Sequence, residues 1–374
     1  MLKPVRVAMI GVGAISGIYL ENLTKTFQEV ELIGVCDLIR ERAEKARDSY
    51  QIPKIYDTMY DAFADPEVEV ILNLTRPYEH FAVSKAALEA GKHVYSEKPL
   101  GADFEEGREL VALAEKKGLL LGGAPDTFLG AGIQTCRSLI DGGFIGQPIG
   151  AAAFMICHGH ETWHPDPEFY YKRGGGPMMD MGPYYVTALV NLLGGVKSVT
   201  GVTKSSFAKR VITSEPHRGE VIDVEVPTYV TGTLQFDSGA VGTLFTTFDV
   251  YYKGQARFEV YGTEGTLLVP DPNCFGGPIQ LLRPEDGEYR EMPLTFDYRE
   301  NSRGLGLADM ACAIRTGSPF RASYEQTCHV LEILTAFEKS SDAGKTLELE
   351  THYERKAPIC RGKIHGVLDE TFTL

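Results

Sequence analysis

A lysine, a carboxylate and a phenol, far apart in this sequence, have the types and spacing to move a proton at an alcohol carbon. Lys98 stands in Glu97-Lys98-Pro99, directly after the run His93-Val-Tyr-Ser96. Asp180 and Tyr184 follow a glycine turn in Gly174-Gly-Gly-Pro-Met-Met-Asp180-Met-Gly-Pro-Tyr184-Tyr185. If that stretch is one helix, residues four apart share a face, so Asp180 and Tyr184 point the same way and Tyr185 does not. Partial burial at a strand end draws a lysine toward a neutral pKa, which makes Lys98 one candidate base. Tyr184 is the other, because a nearby lysine favours its phenolate. Asp180 would orient the lysine or the substrate. The bland alternatives are a surface lysine, a packed phenol and a helix cap.

Oxidising an alcohol also requires an acceptor for hydride, and the N-terminal residues offer a place for one. Gly11-Val-Gly13-Ala14-Ile15-Ser16 follows the apolar run Val5-Arg-Val-Ala-Met-Ile10 and leads into a helical pattern. The first glycine allows a tight turn, and the second lets the backbone approach a pyrophosphate at a helix N-terminus. Ser16 replaces the usual third glycine and is small enough for close helix–strand packing. Gly11, Gly13, Ala14, Ile15 and Ser16 are therefore expected to cradle a dinucleotide. A second apolar run, Val30 to Cys36, ends in Asp37, where an acid binds the adenosine ribose hydroxyls. Its charge opposes a 2′-phosphate, so NAD is expected over NADP. Arg40 and Arg42 lie close enough to leave NADP open.

The segment Cys157-His158-Gly-His160-Glu161-Thr-Trp163-His164-Pro-Asp166 invites a metal reading. In an extended strand His158 and His160 share one face, and with His164 or Asp166 they would suit zinc. Hydride transfer to NAD needs no metal, and none is expected. His158, His160 and Trp163 are read instead as lining a sugar pocket, with a ring stacked on the indole. Asp126, just past the run Leu119 to Leu121, is expected to open toward the same cleft and touch substrate. Its alternative is an N-cap for the next helix. Lys172-Arg173 is read as a solvated pair.

These residues need elements to hold them. Up to about residue 124 strand and helix patterns alternate, which predicts a parallel, doubly wound sheet with its ligand beyond the C-terminal strand ends. Gly11, Asp37, Thr75 and Lys98 fall at such ends. From about 149 to 285 dense hairpin signals predict an antiparallel sheet. Helices are expected over 130–140, 304–315 and 323–340. From Leu349 the chain reads as a polar arm around a partner subunit or a loose tail. The boundaries predicted are 1–124 for a dinucleotide domain and 125–374 for a substrate and oligomerisation domain.

At 374 residues the chain is long enough for two domains, and its formal charge of −14 argues against nucleic acid or an anionic membrane as partner. The seven cysteines are scattered and form no CxxC, which suits reduced thiols in a cytoplasmic protein. No apolar run approaches a membrane span.

Taken together, the glycine fingerprint, Asp37, Thr75-Arg-Pro77 with His80, Ala90-Gly-Lys-His-Val, Glu97-Lys98-Pro99 and the triple glycine with Asp180 resemble the Gfo/Idh/MocA oxidoreductases. The resemblance covers essentially the whole chain. It implies an α/β protein with an N-terminal Rossmann domain and a C-terminal α+β domain. It further implies that the large, open, mostly antiparallel sheet of the second domain serves as a homodimer or homotetramer interface. It implies Lys98 as catalytic lysine, Asp180 as the helix-borne acid, and Thr75, Pro77, His80 and Glu97 beside the cofactor. Many members, the inositol dehydrogenases among them, carry histidine where this chain has Tyr184. Glucose–fructose oxidoreductase and the dihydrodiol dehydrogenases are similar to this chain in having tyrosine there. The expected activity is hydride transfer between NAD and a sugar, glycoside or polyol. The rivals are a non-catalytic dinucleotide-binding regulator and an NAD-dependent glycosidase.

Overall fold

The computed structural model describes residues 2–254, 257–360 and 365–372. Strands β1 (Val5–Ile10), β2 (Val30–Cys36), β3 (Lys54–Ile55), β4 (Val70–Asn73), β5 (His93–Ser96) and β6 (Leu121–Gly123) form a parallel sheet. Their order is β3-β2-β1-β4-β5-β6, a doubly wound arrangement in which the order reverses between the paired strands β1 and β4, where such sheets place a ligand crevice. Helices α1 (Ser16–Lys25), α2 (Arg40–Tyr50), α3 (Met59–Ala64), α4 (His80–Glu89) and α5 (Phe104–Lys117) connect the strands. Alternation along β1 explains why both faces are covered. Val5, Val7 and Met9 join one buried cluster, and Ala8 and Ile10 join the other. Helix α5 is capped by its own first turn: Asp103 Oδ1 accepts from Glu106 N at 3.0 Å, and Glu106 Oε2 accepts from Ala102 N at 2.7 Å.

Helix α6 (Ala131–Asp141) leads into β7 (Pro148–Ile156), α7 (Gly176–Asp180) and α8 (Gly182–Leu193). Then come β8 (Val196–Lys204), a small hairpin of β9 (Lys209–Val211) and β10 (Val221–Asp223), β11 (Tyr229–Phe236), β12 (Val241–Thr247), β13 (Arg257–Gly262), β14 (Thr266–Leu268), β15 (Ile279–Leu282) and β16 (Arg290–Met292). Helices α9 (Leu305–Thr316) and α10 (Tyr324–Ala343) and strand β17 (Leu347–Glu348) follow. The second sheet runs β16-β15-β14-β13-β7-β12-β11-β8-β17. It is antiparallel except where β7 meets β12. Helices α8 and α10 lie on one of its faces. Along β12, Leu244 is buried while Val241 and Thr243 face outward.

The stretch carrying Asp180 and Tyr184 is not the single helix expected. Asp180 ends α7 and Tyr184 sits in the first turn of α8. Pro183 has no N–H to continue the ladder, so the helix stops and restarts around Met181 and Gly182. The C-terminal stretch is neither a free tail nor, over its described part, an arm reaching away. Glu332 accepts from Glu350 N at 2.7 Å and Thr351 N at 2.9 Å, Tyr353 Oη donates to Gln326, and Ile359 N donates to Gln134. Farther on, Leu368 N donates to Glu29, at the foot of the parallel sheet. Residues 361–364 and 373–374 lie outside the described part.

Asp126 corrects another expectation. It does not open to the cleft, nor does its side chain cap the short turn Thr127–Leu129 that follows. It is 1% exposed, and its Oδ2 accepts from Gly304 N at 2.8 Å and Gly306 N at 3.1 Å, across 178 residues of sequence. It thereby caps α9, a helix that lies against β1 and β2. Burial pushes its carboxyl up to about 6, against the pull of those N–H groups and Arg303. The folded chain therefore holds this proton more tightly than the unfolded chain, where a carboxyl titrates near pH ~4. The contribution of Asp126 to stability should fall as pH rises from about 4 to about 6. Urea unfolding across that range should show stability falling less, or rising more, with pH for Asp126→Asn than for the unmodified protein; equal slopes would refute the assignment.

Candidate active site

The glycine turn after β1 is built for a diphosphate. Gly11 has φ +96°, and a Cβ there would meet Leu74 O at 2.7 Å, so no other residue fits. Gly13 differs: nothing lies within 4 Å of its missing Cβ, and Gly13 and Ala14 are exposed. No protein neighbour demands that glycine, and the space it leaves suits a ligand's phosphates at the start of α1. Ile15 is half-buried, and Ser16 is buried with its Oγ donating to Gly13 O at 2.7 Å, which ties the turn to the helix. Asp37 Oδ2 accepts from Val12 N at 2.6 Å and Oδ1 from Ile39 N at 2.8 Å. The acid thus sits over the turn, where ribose hydroxyls of a dinucleotide belong. These residues fit NAD.

Thr75 and Pro77, at the end of β4, are half-buried and border the same crevice. His80 and Glu97, both expected to touch cofactor, are bonded to neighbouring parts of the chain. His80 is 1% exposed, with Nδ1 2.7 Å from Pro99 O and Nε2 3.0 Å from Thr75 O. Glu97 accepts from Tyr19 Oη at 2.8 Å and from Lys98 N at 2.9 Å. Together they fix the turn carrying Lys98 against β4 and α1.

Lys98 reaches across to the second domain. Its Nζ donates to Asp180 Oδ1 at 2.9 Å and to Asp180 O at 2.6 Å, and both side chains are 15% exposed. The carbonyl is one of those that a helix end leaves without an intrahelical partner. Burial works against the ammonium, but Asp180, Tyr184 and Glu97 outweigh it and raise Lys98 above the ordinary lysine range. The expected downward shift is therefore reversed: a carboxylate at ion-pair distance overrides desolvation. Burial likewise opposes charge on Asp180, yet Lys98 and His160 hold it down at about 2.

Tyr184 faces this pair, with Lys98 Nζ 5.1 Å from its ring centroid. Tyr185 is 1% exposed and stacks on Phe258 instead. The ammonium lies over the ring face and is not bonded to the hydroxyl. Burial raises the phenol above its ordinary value despite Lys98 and Arg303, so the expected phenolate is corrected to a neutral phenol. Arg303 Nη2 lies 3.4 Å from Tyr184 Oη and donates to Asn273 Oδ1 at 2.7 Å. A guanidinium has no acceptor, so the phenol's own proton is directed elsewhere.

The loop after β7 divides the two histidines. Gly159 has φ +89°, which turns the chain between them, and a Cβ there would meet Glu161 Oε2 and Tyr171 Oη at 2.3 Å. His160 Nε2 lies 3.2 Å from Asp180 Oδ2, with Tyr170 and Phe248 packed edge-on at 4.5 and 4.6 Å. His158 stacks on Tyr251 at 3.6 Å and joins neither Asp180 nor Lys98. Trp163 is 61% exposed and 5.2 Å from the His160 ring. His164 Nδ1 accepts from Asp166 N at 3.0 Å, while Asp166 bonds Arg76 across the domains at 2.7 Å. Among the described residues no three His, Cys, Asp or Glu side chains converge on a metal position. Lys172 and Arg173 are ion-paired, to Glu225 at 2.7 Å and Glu106 at 2.8 Å respectively. Sequence reasoning missed Arg303, Tyr170 and Phe248. No spacing signal links Arg303 to Tyr184, 119 positions away.

Comparison with known proteins agrees with this geometry. Residues 5–123 match the oxidoreductase family with NAD-binding Rossmann fold, and residues 133–268 match the Gfo/Idh/MocA C-terminal domain. A myo-inositol 2-dehydrogenase of Thermotoga maritima is 24% identical over 92% of this chain and 98% of its own. A trans-1,2-dihydrobenzene-1,2-diol dehydrogenase of Bos taurus is 28% identical over 83% of this chain and 87% of its own. A solved levoglucosan dehydrogenase, in complex with NADH and levoglucosan, shares the fold with a TM-score of 0.79 at 19% identity, over 92% of this chain and 99% of that one. With both halves matched and the glycine turn, Asp37 and Lys98 in place, the chain belongs to the Gfo/Idh/MocA family of NAD-binding oxidoreductases.

Proposed function

We infer that this oxidoreductase moves hydride between NAD and a secondary alcohol carbon of a sugar, glycoside or related polyol. The observation that carries the reading is the Lys98 ammonium, held by Asp180 at 2.9 Å beyond the C-terminal end of β5 and beside the neutral phenol of Tyr184. NAD when bound supplies the hydride acceptor. Gly11 to Ser16 hold its phosphates, and Asp37 its adenosine ribose. Lys98 Nζ and Tyr184 Oη hold the substrate oxygen from the side of the second domain. Both are donors, so they stabilise negative charge developing on that oxygen. Asp180 keeps the ammonium charged and aimed. Trp163, exposed at the mouth, offers a flat apolar surface for one face of a sugar ring, and the site's many donors suit hydroxyls. The relatives named above act on an inositol and a diol, and the fold neighbour holds a sugar anhydride, which supports this substrate class.

Two further readings go with it. The outward residues Val202, Val241 and Ile149 on the uncovered side of the large sheet support pairing of copies through that face. All seven cysteines are free, which supports a reducing, cytoplasmic setting. The direct test is formation of NADH from NAD with a panel of aldoses, glycosides and inositols. Turnover without net NADH would favour a glycosidase, and no turnover a regulator.

Removing the ammonium should test the site. Lys98→Met should lower kcat roughly 10²–10³-fold, the range for removing a donor that stabilises developing negative charge, with little change in NAD affinity by calorimetry. It also leaves Asp180 buried without its ammonium partner and with only the His160 contact, at a cost of up to about 3–5 kcal/mol. The double variant Lys98→Met, Asp180→Asn should recover Tm but not kcat; recovery of kcat would refute the assignment. Asp37→Ser should narrow the preference for NAD over NADP, and tighter NADP binding by the unmodified protein would show that Asp37 does not select the cofactor.

A further inference from the structure

Resting on that reading, we propose that Glu161 is a positioning residue for the substrate: buried against the hairpin β9–β10, it fixes the loop that displays Trp163 at the mouth of the site. Burial in this loop runs opposite to side-chain chemistry. Glu161 is 5% exposed, while Trp163, two residues on, is 61% exposed. Transfer energies favour the reverse, since an indole gains by burial and a carboxylate loses. A short loop that hides its acid and shows its indole presents that ring to something outside the chain. The ring is also continuous with the reacting groups. Its centroid lies 5.2 Å from that of His160, His160 Nε2 lies 3.2 Å from Asp180 Oδ2, and Asp180 holds Lys98. On the reading above, the substrate's sugar ring is what covers the indole.

The hairpin holds the acid by side chain and backbone together. Arg210, in the middle of β9 and buried, donates from Nη1 to Glu161 Oε1 at 3.0 Å. The Tyr171 hydroxyl donates to Glu161 Oε2. The Glu161 carbonyl accepts from Thr213 N at 2.9 Å and Ser214 N at 3.2 Å, in the link between β9 and β10. Ser214 Oγ donates to His164 O at 2.6 Å. Trp163 thus stands between two anchored positions, 161 and 164. Arg210 is fixed in turn, because its Nη2 donates to Asp249 Oδ1 at 2.6 Å and to Phe248 O at 2.7 Å, just past the end of β12. The small hairpin belongs to neither large sheet, and these contacts join it to the loop and to β12.

A cluster of this kind adds little to stability, because desolvating the ions offsets most of their attraction. What it supplies is geometry. A planar guanidinium forked between Glu161 and Asp249 tolerates few arrangements of the two carboxylates. The geometry fixed here is the place of the indole. Trp163 packs edge-on to His160 and His164, at 5.2 and 5.4 Å, both of its own loop, so the anchored backbone sets where the ring stands. A surface already in place needs little further ordering when substrate binds. Glu161 therefore acts through Trp163 and takes no part in moving hydride or proton.

The test measures Glu161→Ala, Trp163→Ala and the double variant in the NAD-reduction assay. Glu161→Ala leaves Arg210 paired with Asp249. Each single variant should raise KM for the sugar roughly 2–10-fold, the range of one aromatic contact, with kcat and NAD affinity changed less than KM. In the double variant KM should be no higher than in Trp163→Ala, because Glu161 acts through that ring. Trp163 is the chain's one tryptophan, so time-resolved fluorescence anisotropy reads the loop without turnover. Glu161→Ala should gain a fast nanosecond component. Ser214→Ala, which deletes a single hydroxyl, should move both readouts the same way, and it replaces Glu161→Ala if that variant does not fold. An unchanged KM or an unchanged anisotropy decay overturns the proposal, as do KM increases that multiply in the double variant. Failure of the unmodified protein to form NADH with any panel member overturns the hydride reading and this one together. Any of the contrary results beside normal NADH formation overturns only this one.

Discussion

The contact between Lys98 and Asp180 organises this protein. Each charge is buried, and neither could stay so alone, since an unpaired buried ion costs several kcal/mol. The lysine belongs to the turn after β5 and the acid to the end of α7, so the pair is also the joint between the two sheets. Around it the braces make sense. Glu97 and His80 hold the turn that aims the lysine, while His160 and the helix break at Pro183 aim the acid. His80 and Glu97, expected to meet ligands directly, are bonded to neighbouring parts of the chain.

The second constraint is where charge is absent. Tyr184 lies between two cations, Lys98 at 5.1 Å and the Arg303 guanidinium at 6.0 Å, yet burial keeps it a phenol. Desolvation and Coulomb attraction oppose each other at Lys98, Asp180 and Tyr184 alike. The carboxylate–ammonium pair wins at the first two because the partners touch. At the phenol neither cation is bonded closely enough to win.

Most of the fold was legible because its signals are local. Strand, glycine turn, helix and terminal acid stand within the first 37 residues, and each element there lies where patterning predicts. The hairpins around Asp237-Ser-Gly239 and Gly262 to Gly265 were equally plain. The identities of Lys98, Asp180 and Tyr184 were also readable, but their protonation states were not. Those depend on partners 82 residues away, which no spacing rule reaches. His158 and His160 looked equivalent under strand alternation, and a single left-handed glycine separated them. Asp126 looked like a cleft residue because the helix it caps begins 178 residues later. Misreadings thus cluster where a polar group is satisfied by a distant part of the chain.

The same ammonium that faces the crevice also closes the end of α7 by bonding Asp180 O at 2.6 Å. This has an evolutionary consequence. A lineage of this chain drifting from catalysis toward ligand sensing loses stability if its lysine goes first, because the carboxylate and helix end lose their ammonium. It loses stability if its acid goes first as well, because a buried ammonium is stranded. Paired replacement is the less costly route to loss of chemistry here. A descendant that retains one partner of the pair without the other has rebuilt the joint around it.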